Sequence, residues 1–238
     1  MSHRVLHRVL LKLTGESLCA PGGFGHDADA LRSIAAEVAS AAAHAQVAVV
    51  IGGGNIIRGG TLAESGLIER ATADHMGMLG TIINGLALRE ALEHVGQPAD
   101  CVAALEIPGV VRRFERRAAL ASLEAGRVVI CAGGVGHPFF TTDTTAALRA
   151  AELGCDAVLK ATKVDGVYSA DPKKDASATR FDTLTFAEAL ERRLGVMDLT
   201  ALAMCQSQGI GLVVFDFAAS GNTARVVRGE PIGTLVTP

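Results

Sequence analysis

The chain has 238 residues, of which 49% are hydrophobic and 20% are charged, and its formal net charge is -3. This length suits one large domain or two small ones, and the composition is that of a globular protein. The charge balance excludes the basic footprint of a nucleic-acid-binding protein, and no run of about twenty apolar residues predicts a membrane span. The five cysteines form no C-x-x-C pair, and the chain starts without the apolar segment of a signal peptide. We therefore expect free buried thiols in a cytoplasmic protein.

Short β-branched runs alternate along the chain with Ala-rich segments of helical spacing. The predicted strands are Val5–Leu13, Val47–Ile51, Val128–Cys131, Ala157–Lys160 and Leu212–Phe215. The predicted helices are Asp29–His44, Asp74–His94, Arg116–Ala125, Thr144–Leu153, Phe186–Leu194 and Leu199–Gln208. Apolar strands that alternate with helices are typical of a parallel sheet covered on both faces. We predict an α/β fold, a three-layer α/β/α sandwich around a mainly parallel sheet, as one domain over residues 1–238. The polar stretch Val164–Thr183 is predicted to be a surface loop with room for a hairpin.

The first predicted strand ends in Lys12, Leu13, Thr14 and Gly15. A lysine near a strand end, followed by a hydroxyl and a glycine, offers a phosphate both a point charge and backbone N–H groups. Ligands of open α/β sheets bind beyond the carboxyl ends of the strands, which is where this segment falls. An ordinary surface lysine before a turn explains the same residues, so this segment alone decides nothing.

The second predicted strand runs directly into Gly52, Gly53 and Gly54, and Arg58 follows. Three consecutive glycines cost conformational entropy, and the usual return is a backbone that approaches an anion closely. Neither the dinucleotide fingerprint G-x-G-x-x-G nor the Walker pattern G-x-x-x-x-G-K-[ST] occurs in the chain. If these loops hold nucleotide phosphates, they do so with another architecture.

A second glycine-rich loop, Gly133–Thr142, follows the strand Val128–Cys131 and leads into Asp143. Thr142 or Asp143 suits the N-cap of the next helix, which explains those two residues without any ligand. A helix N-terminus beneath a glycine-rich loop is also a ready anion site. His137 could serve as a base, although a lone histidine in a loop more often has no such role.

The strand that ends at Lys160 leads into a polar loop that contains Tyr168, the only tyrosine of the chain. An aromatic ring in a polar loop beside Lys160 and Lys163 suits the face of an adenine. A ring that packs against a satellite of the core explains Tyr168 equally well.

These segments together resemble the bacterial uridylate kinases, which have the amino acid kinase fold. The segments that carry the resemblance are Lys12–Glu16, Gly52–Asn55 with Arg58, Asp74–Leu79, Pro138–Asp143, Lys160–Tyr168 and Ala170–Pro172. The resemblance runs in family order from about Val9 to Val236. The strand-end lysine and the triple glycine belong to the wider fold, whereas D-H-M-G-M-L and P-F-F-T-T-D point to UMP kinases in particular.

The resemblance implies transfer of the γ-phosphate of ATP to UMP, in pyrimidine nucleotide biosynthesis, with Mg²⁺ carried on the ATP phosphates and no metal site of the protein itself. It implies catalytic roles for Lys12, Arg58, Asp143 and Asp198. The implied ATP-binding residues are Lys12, Leu13, Thr14, Gly15, Gly54, Arg58, Thr162, Tyr168 and Asp171. The implied UMP-binding residues are Gly53, Asp74 (at the ribose), Val135, Gly136, His137, Pro138, Phe139, Phe140, Thr141 and Thr142. It also implies a homohexamer with UTP inhibition and, in many members, GTP activation.

The chemistry agrees with this resemblance. A phosphate acceptor is already ionised near neutral pH, so catalysis reduces to aligning two anions and neutralising the charge of the passing phosphoryl group. Two positions depart from the pattern, since Val135 and His137 stand where many members have Thr and Asn. The segment Gln97–Arg117, with Arg112-Arg113 and Arg116-Arg117, also fits the family poorly.

Two other readings stay open. Carbamate kinases, acetylglutamate kinases and aspartokinases share the glycine loops but phosphorylate carboxylate-type groups, and Asp74–Leu79 and Pro138–Asp143 argue against them. A non-catalytic nucleotide-binding or storage protein could also use this fold. The presence of Lys12, Arg58 and Asp143 argues against such a loss of catalysis.

Overall fold

The computed structural model describes residues 4–20, 22–57, 66–172, 174–175 and 177–237. These residues form a nine-stranded sheet whose strands, numbered along the chain, lie side by side in the order β4-β3-β5-β2-β1-β6-β10-β11-β9. Its strands are β1 (Arg8–Leu13), β2 (Gln46–Ile51), β3 (Ala99–Ala103), β4 (Arg112–Arg113), β5 (Val128–Ala132), β6 (Ala157–Thr162), β9 (Thr183–Thr185), β10 (Gly211–Asp216) and β11 (Thr234–Thr237). Every neighbouring pair is parallel except β10 and β11. A separate antiparallel pair joins β7 (Val167–Tyr168) to β8 (Arg180–Phe181).

Helices cover both faces of the sheet. They are α1 (Ala28–Ala42), α2 (Arg70–His94), α3 (Arg116–Glu124), α4 (Thr142–Leu153), α5 (Phe186–Glu191), α6 (Leu199–Gln208) and α7 (Asn222–Val227). A 3₁₀ turn, Gly15–Leu18, follows β1. None of the helices in the described ranges combines the length and the hydropathy needed to cross a membrane.

Two hydrophobic cores lie on opposite faces of the sheet because alternate strand residues point to opposite faces. Leu11 and Leu13 of β1 belong to the core beneath α1, α2 and α7, whereas Leu10 belongs to the core beneath α3, α4, α5 and α6. The predicted three-layer sandwich around a mainly parallel sheet is confirmed. All five cysteines are free and buried, as the sequence predicts.

The predicted elements differ from the structure mainly at their ends. Helix α2 begins at Arg70, one turn before the predicted start, and α5 ends at Glu191, where the chain turns through Arg193 with φ of +50°. The predicted loop Val164–Thr183 does contain a hairpin, formed by β7 and β8. The N-cap of α4 is Thr141 and not Thr142 or Asp143, because the Thr141 hydroxyl accepts the N–H groups of Asp143 and Thr144.

Candidate functional site

Two lysines converge on one carboxylate at the carboxyl edge of the sheet. Lys12 of β1 and Lys160 of β6 are partners in the parallel register, so their side chains lie next to each other on the same face. Asp143, in the first turn of α4, lies between them. Its Oδ1 is 2.9 Å from Nζ of Lys12, and its Oδ2 is 3.1 Å from Nζ of Lys160. Lys160 also donates to the carbonyl oxygen of Val196. We call Lys12, Lys160 and Asp143 the lysine cluster.

Burial and charge act in opposite directions on the lysine cluster. Burial by itself raises the pKa of Asp143, but the charges and hydrogen bonds of Lys12 and Lys160 outweigh it and leave that pKa below its usual value. Burial lowers the pKa of Lys160, and Asp143 offsets part of that effect. Two ammonium groups thus face a single carboxylate, which leaves the edge of the sheet suited to a further anion.

Asp198 reaches the lysine cluster through hydroxyl groups. It caps α6 by accepting the N–H of Ala201 at 2.8 Å, and it accepts hydrogen bonds from the hydroxyls of Thr141 and Thr144, the latter at 2.9 Å. Since Thr141 caps α4 and α4 carries Asp143, these contacts fix the N-termini of α4 and α6 to each other. The side chain of Asp198 therefore holds the first turn of α4, which carries Asp143.

The loop after β2 packs against the loop after β1 without space for side chains. A Cβ atom on Gly15 would lie 2.6 Å from the carbonyl oxygen of Gly52 and 2.8 Å from the backbone nitrogen of Gly54. Only glycine permits this approach, which explains the residue type at position 15. Arg58, predicted to bind the transferred phosphate, lies outside the described residues.

A cavity of about 230 Å³ opens between α2, the glycines after β2 and the start of α4. The residues that line it are Gly53, Gly54, Ile57, Arg70, Ala73, Asp74, Gly77, Met78, Thr81, Gly134, Phe140, Thr141, Thr142 and Thr145. Five of the predicted UMP residues, namely Gly53, Asp74, Phe140, Thr141 and Thr142, are among them. We call this space the smaller cavity.

Asp74 joins α2 to the loop after β5. Its carboxylate accepts a hydrogen bond from the N–H of Phe139 at 2.8 Å and from Nε of Arg70 at 2.8 Å. Phe139 has φ of +73°, a left-handed conformation that is uncommon for a bulky residue and marks a constrained turn. Phe139 and Phe140 are exposed, as is His137. Val135, Gly136, His137, Pro138 and Phe139 are not among the residues that line the smaller cavity.

A cavity of about 420 Å³ lies at the ends of β1, β6 and β10, beside α1. Leu13, Thr14 and Thr162 line this larger cavity, as does Lys160. Two other predicted ATP residues lie in the segment of the hairpin: Tyr168 donates to Asp165 at 2.7 Å, and the carboxylate of Asp171 is 3.9 Å from Nζ of Lys174. Tyr168 and Asp171 do not line the larger cavity.

Sequence reasoning missed two charged residues of this site. The sequence pattern predicts no role for Lys160, although a lysine at the end of a buried strand is the same signal that indicates Lys12. Arg70 was missed because the predicted helix began at Asp74, which hid the i, i+4 spacing of Arg70 and Asp74.

Both cavities lie next to the lysine cluster. Lys160 lines the larger cavity, and Thr142, next to Asp143, lines the smaller one. A buried lysine, Lys12, and a partly buried one, Lys160, beside glycine loops at the carboxyl edge of a parallel sheet define an α/β protein that handles phosphate groups. The chain belongs to the amino acid kinase family, whose model matches residues 7–216.

The similarity to known proteins extends over nearly the whole chain. Uridylate kinases of three Legionella pneumophila strains (Corby, Paris and Philadelphia 1) are each 51% identical over 230 residues, which is 96% of this chain and 93% of theirs. The crystal structure of a UMP kinase from Bacillus anthracis is similar with a TM-score of 0.95 and 38% identity, covering 98% of this chain and 97% of that one. A UMP kinase from Ureaplasma parvum gives a TM-score of 0.90 and 35% identity, covering 98% and 99%.

Proposed function

We propose that this enzyme transfers the γ-phosphate of ATP to UMP and releases UDP and ADP. The observation that carries the proposal is where two segments of the chain meet. Asp74–Leu79 and Pro138–Asp143 are the segments that resemble UMP kinases in particular, and both contribute residues to the smaller cavity, beside the lysine cluster. The relatives named uridylate kinase align with this chain over more than nine-tenths of their length.

In the proposed arrangement UMP occupies the smaller cavity, with its ribose at Asp74. Arg70 currently pairs with this carboxylate, and Phe139 donates to it, so the carboxylate is already held toward the cavity. A hydroxyl of the ribose can donate to the same oxygens. Gly53, Phe140, Thr141 and Thr142 form the rest of the enclosure. The loop Val135–Phe139 reaches the nucleotide only if it closes over the cavity.

ATP is proposed to enter from the larger cavity. Leu13, Thr14 and Thr162 line that cavity. Gly15 and Gly54, which meet where the loops after β1 and β2 pack together, are assigned to the phosphates of ATP through their backbone N–H groups. Tyr168 and Asp171 are assigned to the adenosine end, and Arg58 to the transferred group.

Catalysis then depends on charge and alignment. Lys12 and Lys160 stabilise the negative charge of the passing phosphoryl group, and Asp143 holds both ammonium groups in place. The acceptor phosphate is already ionised at neutral pH, so no side chain needs to remove a proton from it.

Mg²⁺ is proposed to arrive with ATP. In the described part of the chain no three His, Cys, Asp or Glu side chains are grouped to hold a metal ion. Mg²⁺ keeps several waters and often binds through phosphates with one or two carboxylates, and Asp143 is the carboxylate that the site supplies. The residues present therefore fit a metal ion held mainly by the phosphates, which would help to neutralise their charge.

We also propose a homohexamer in the cytoplasm. Leu79 and Ile83, one turn apart on α2, expose 46% and 47% of their surface, which is the kind of apolar patch that a subunit contact covers. Free buried thiols suit a reducing compartment. Inhibition by UTP and activation by GTP remain expectations from the resemblance, to be checked by adding each nucleotide to the assay.

The proposal is tested by ADP release from Mg-ATP with UMP, CMP, dUMP, carbamate and acetylglutamate as separate acceptors. Turnover with UMP far above the others supports it. Turnover with a carboxylate-type acceptor would move the enzyme elsewhere in the amino acid kinase family, and ATP binding without turnover would favour a storage or sensor role.

A further inference from the structure

One turn of α2 contacts the backbones of both glycine-rich loops. A Cβ atom on Gly53 would lie 2.7 Å from the carbonyl oxygen of Gly77 and 3.1 Å from the backbone nitrogen of Thr81. A Cβ atom on Gly80 would in turn meet the carbonyl oxygen of Gly53 at 3.4 Å. The helix and the loop after β2 thus approach backbone to backbone, and a small displacement of either changes the position of the other.

Asn84, on the next turn of α2, is fully buried and uses both ends of its amide. Its Nδ2 donates to the carbonyl oxygen of Gly52 at 2.7 Å and to Oδ1 of Asn55 at 2.6 Å. Its Oδ1 accepts from Nδ2 of Asn55 at 3.1 Å and lies 2.8 Å from Nε2 of His26. The same side chain therefore holds the first and the last residue of the segment Gly52–Asn55.

The hydrogen bonds continue to the loop before α1. Nδ2 of Asn55 also donates to the carbonyl oxygen of Gly25 at 2.7 Å, and the N–H of Gly25 donates to the carbonyl oxygen of Asn55 at 2.9 Å. His26 approaches Asn84 from the same loop, where an oxygen acceptor requires the proton on Nε2. A buried polar network of this kind fixes one arrangement of the backbone because every alternative leaves a group unpaired.

Thr81, three residues earlier on α2, makes the corresponding contact with the other loop. Its Oγ1 accepts the N–H of Gly133 at 2.7 Å while it donates to the carbonyl oxygen of Met78 at 2.7 Å. Gly133 has φ of +74°, and a Cβ atom there would lie 3.0 Å from the backbone nitrogen of Ala104. Two neighbouring side chains of one helix thus set the separation of the two glycine-rich loops.

We propose that Asn84 is a positioning residue for phosphoryl transfer, which holds the Gly52–Asn55 backbone where its N–H groups meet the phosphates. Asn84 is not among the residues that line either cavity, so it acts through the loop and not by touching a substrate. The expected effect on kcat rests on the proposed function. The expected structural effect, a Gly52–Asn55 loop that loosens when Asn84 is changed, is independent of the proposed function.

The test compares N84D and N84A with the parent enzyme. N84D keeps the volume and turns the donor that faces Gly52 into an acceptor, whereas N84A removes the amide and leaves a space. Displaced N–H groups lose an interaction that is strongest in the transition state, so we expect kcat to fall on the order of 100-fold while both KM values stay near those of the parent. Circular dichroism at the assay temperature verifies that each variant is folded.

S122A is the control for stability. The Ser122 hydroxyl donates to Asp100 at 2.7 Å, between α3 and β3 and away from both glycine-rich loops. The S122A variant loses this partly buried hydrogen bond, so we expect it to have a lower melting temperature and an unchanged kcat. Parent-like kcat in N84D and N84A, with only the melting temperature reduced, would overturn the proposal.

Hydrogen exchange of the same proteins separates this inference from the proposed function. Faster exchange confined to peptides within residues 51–57 and the segment around Gly25 is the expected result, and it requires no turnover. Uniformly faster exchange would reduce Asn84 to a general packing residue and contradict the inference. If the parent failed to phosphorylate UMP, the proposed function would be rejected, and the exchange pattern would still decide whether Asn84 positions the loop.

Discussion

Asp143 is the residue on which the charge balance of the site depends. Its carboxylate pairs with both Lys12 and Lys160, and it keeps its negative charge because those two lysines lower its pKa against the effect of burial. Without it, two neighbouring ammonium groups would repel each other, and the pKa of Lys160, already lowered by burial, would fall further.

D143N therefore tests the lysine cluster. We expect kcat for UMP phosphorylation to fall roughly 10²–10³-fold, the loss typical of removing one preorganised electrostatic element. D100N is a matched control because Asp100 also pairs with a basic residue, Arg127 at 2.9 Å, but far from the glycine-rich loops. Equal kcat values in D143N and the parent would show that the cluster has no part in the reaction.

At the scale of single elements, α2 is the helix that connects both loops to the smaller cavity. It supplies Asp74 to the cavity wall, Thr81 to the loop after β5 and Asn84 to the loop after β2. Its glycines at 77 and 80 lower helix propensity. The close approach of the helix backbone explains the glycine at position 53, where a Cβ atom would lie 2.7 Å from the carbonyl oxygen of Gly77.

T81V and T81S separate the hydroxyl of Thr81 from its bulk. Val has the shape of Thr but cannot accept the N–H of Gly133, and leaving that buried donor unpaired costs about 1–3 kcal/mol. We expect T81V to raise the KM for UMP roughly tenfold at saturating ATP, with 1.4 kcal/mol corresponding to that factor, and T81S to stay near the parent. Equal KM values in the two variants would mean that the hydrogen bond from Gly133 to Thr81 does not set the affinity for UMP.

The sequence predicted the elements whose pattern is long and apolar. Each predicted strand matches a central strand of the sheet. The strands that sequence reasoning did not find lie toward its edges: β4 and β9 have two and three residues, too few to show a period of two. In β3 the apolar run is interrupted by Asp100, whose pairing with Arg127 is not visible before folding.

The parts of the candidate site that lie within one segment could be predicted from the sequence. The parts that depend on which strands pair, and in which register, could not. The triple glycine after a buried strand favours a phosphate loop by itself, whereas Lys12 supports that prediction only together with the other segments. That Lys160 stands beside Lys12 follows from strand pairing across 148 residues of chain, which no local pattern records. The asparagine network is a similar case, because Asn84 looks like any polar residue of a helix until Gly52 and Asn55 pack against it.

At the scale of the whole molecule, the continuous sheet supports the proposal of a single domain, and α2 supports that of a hexamer. Leu79 and Ile83 share one exposed face of α2, and burying them against another subunit would remove apolar surface from water.

L79E and I83E test the assembly. A hexamer of this 24.5 kDa chain is expected for the parent, and we expect each variant, or the pair together, to give smaller particles by light scattering because a buried carboxylate opposes association. V5E introduces the same charge at another exposed apolar residue, 55% accessible, and serves as the control. Hexamers that persist in the double variant would place the subunit contact elsewhere.

The most direct test of the central claim follows the phosphoryl group itself. The enzyme is incubated with Mg-ATP labelled at the γ-phosphate and with UMP, and the products are separated. We predict that the label appears in UDP in the same amount as ADP is formed, and that omission of UMP abolishes ADP formation. Label found as inorganic phosphate, or ADP formed equally well without UMP, would contradict transfer to UMP.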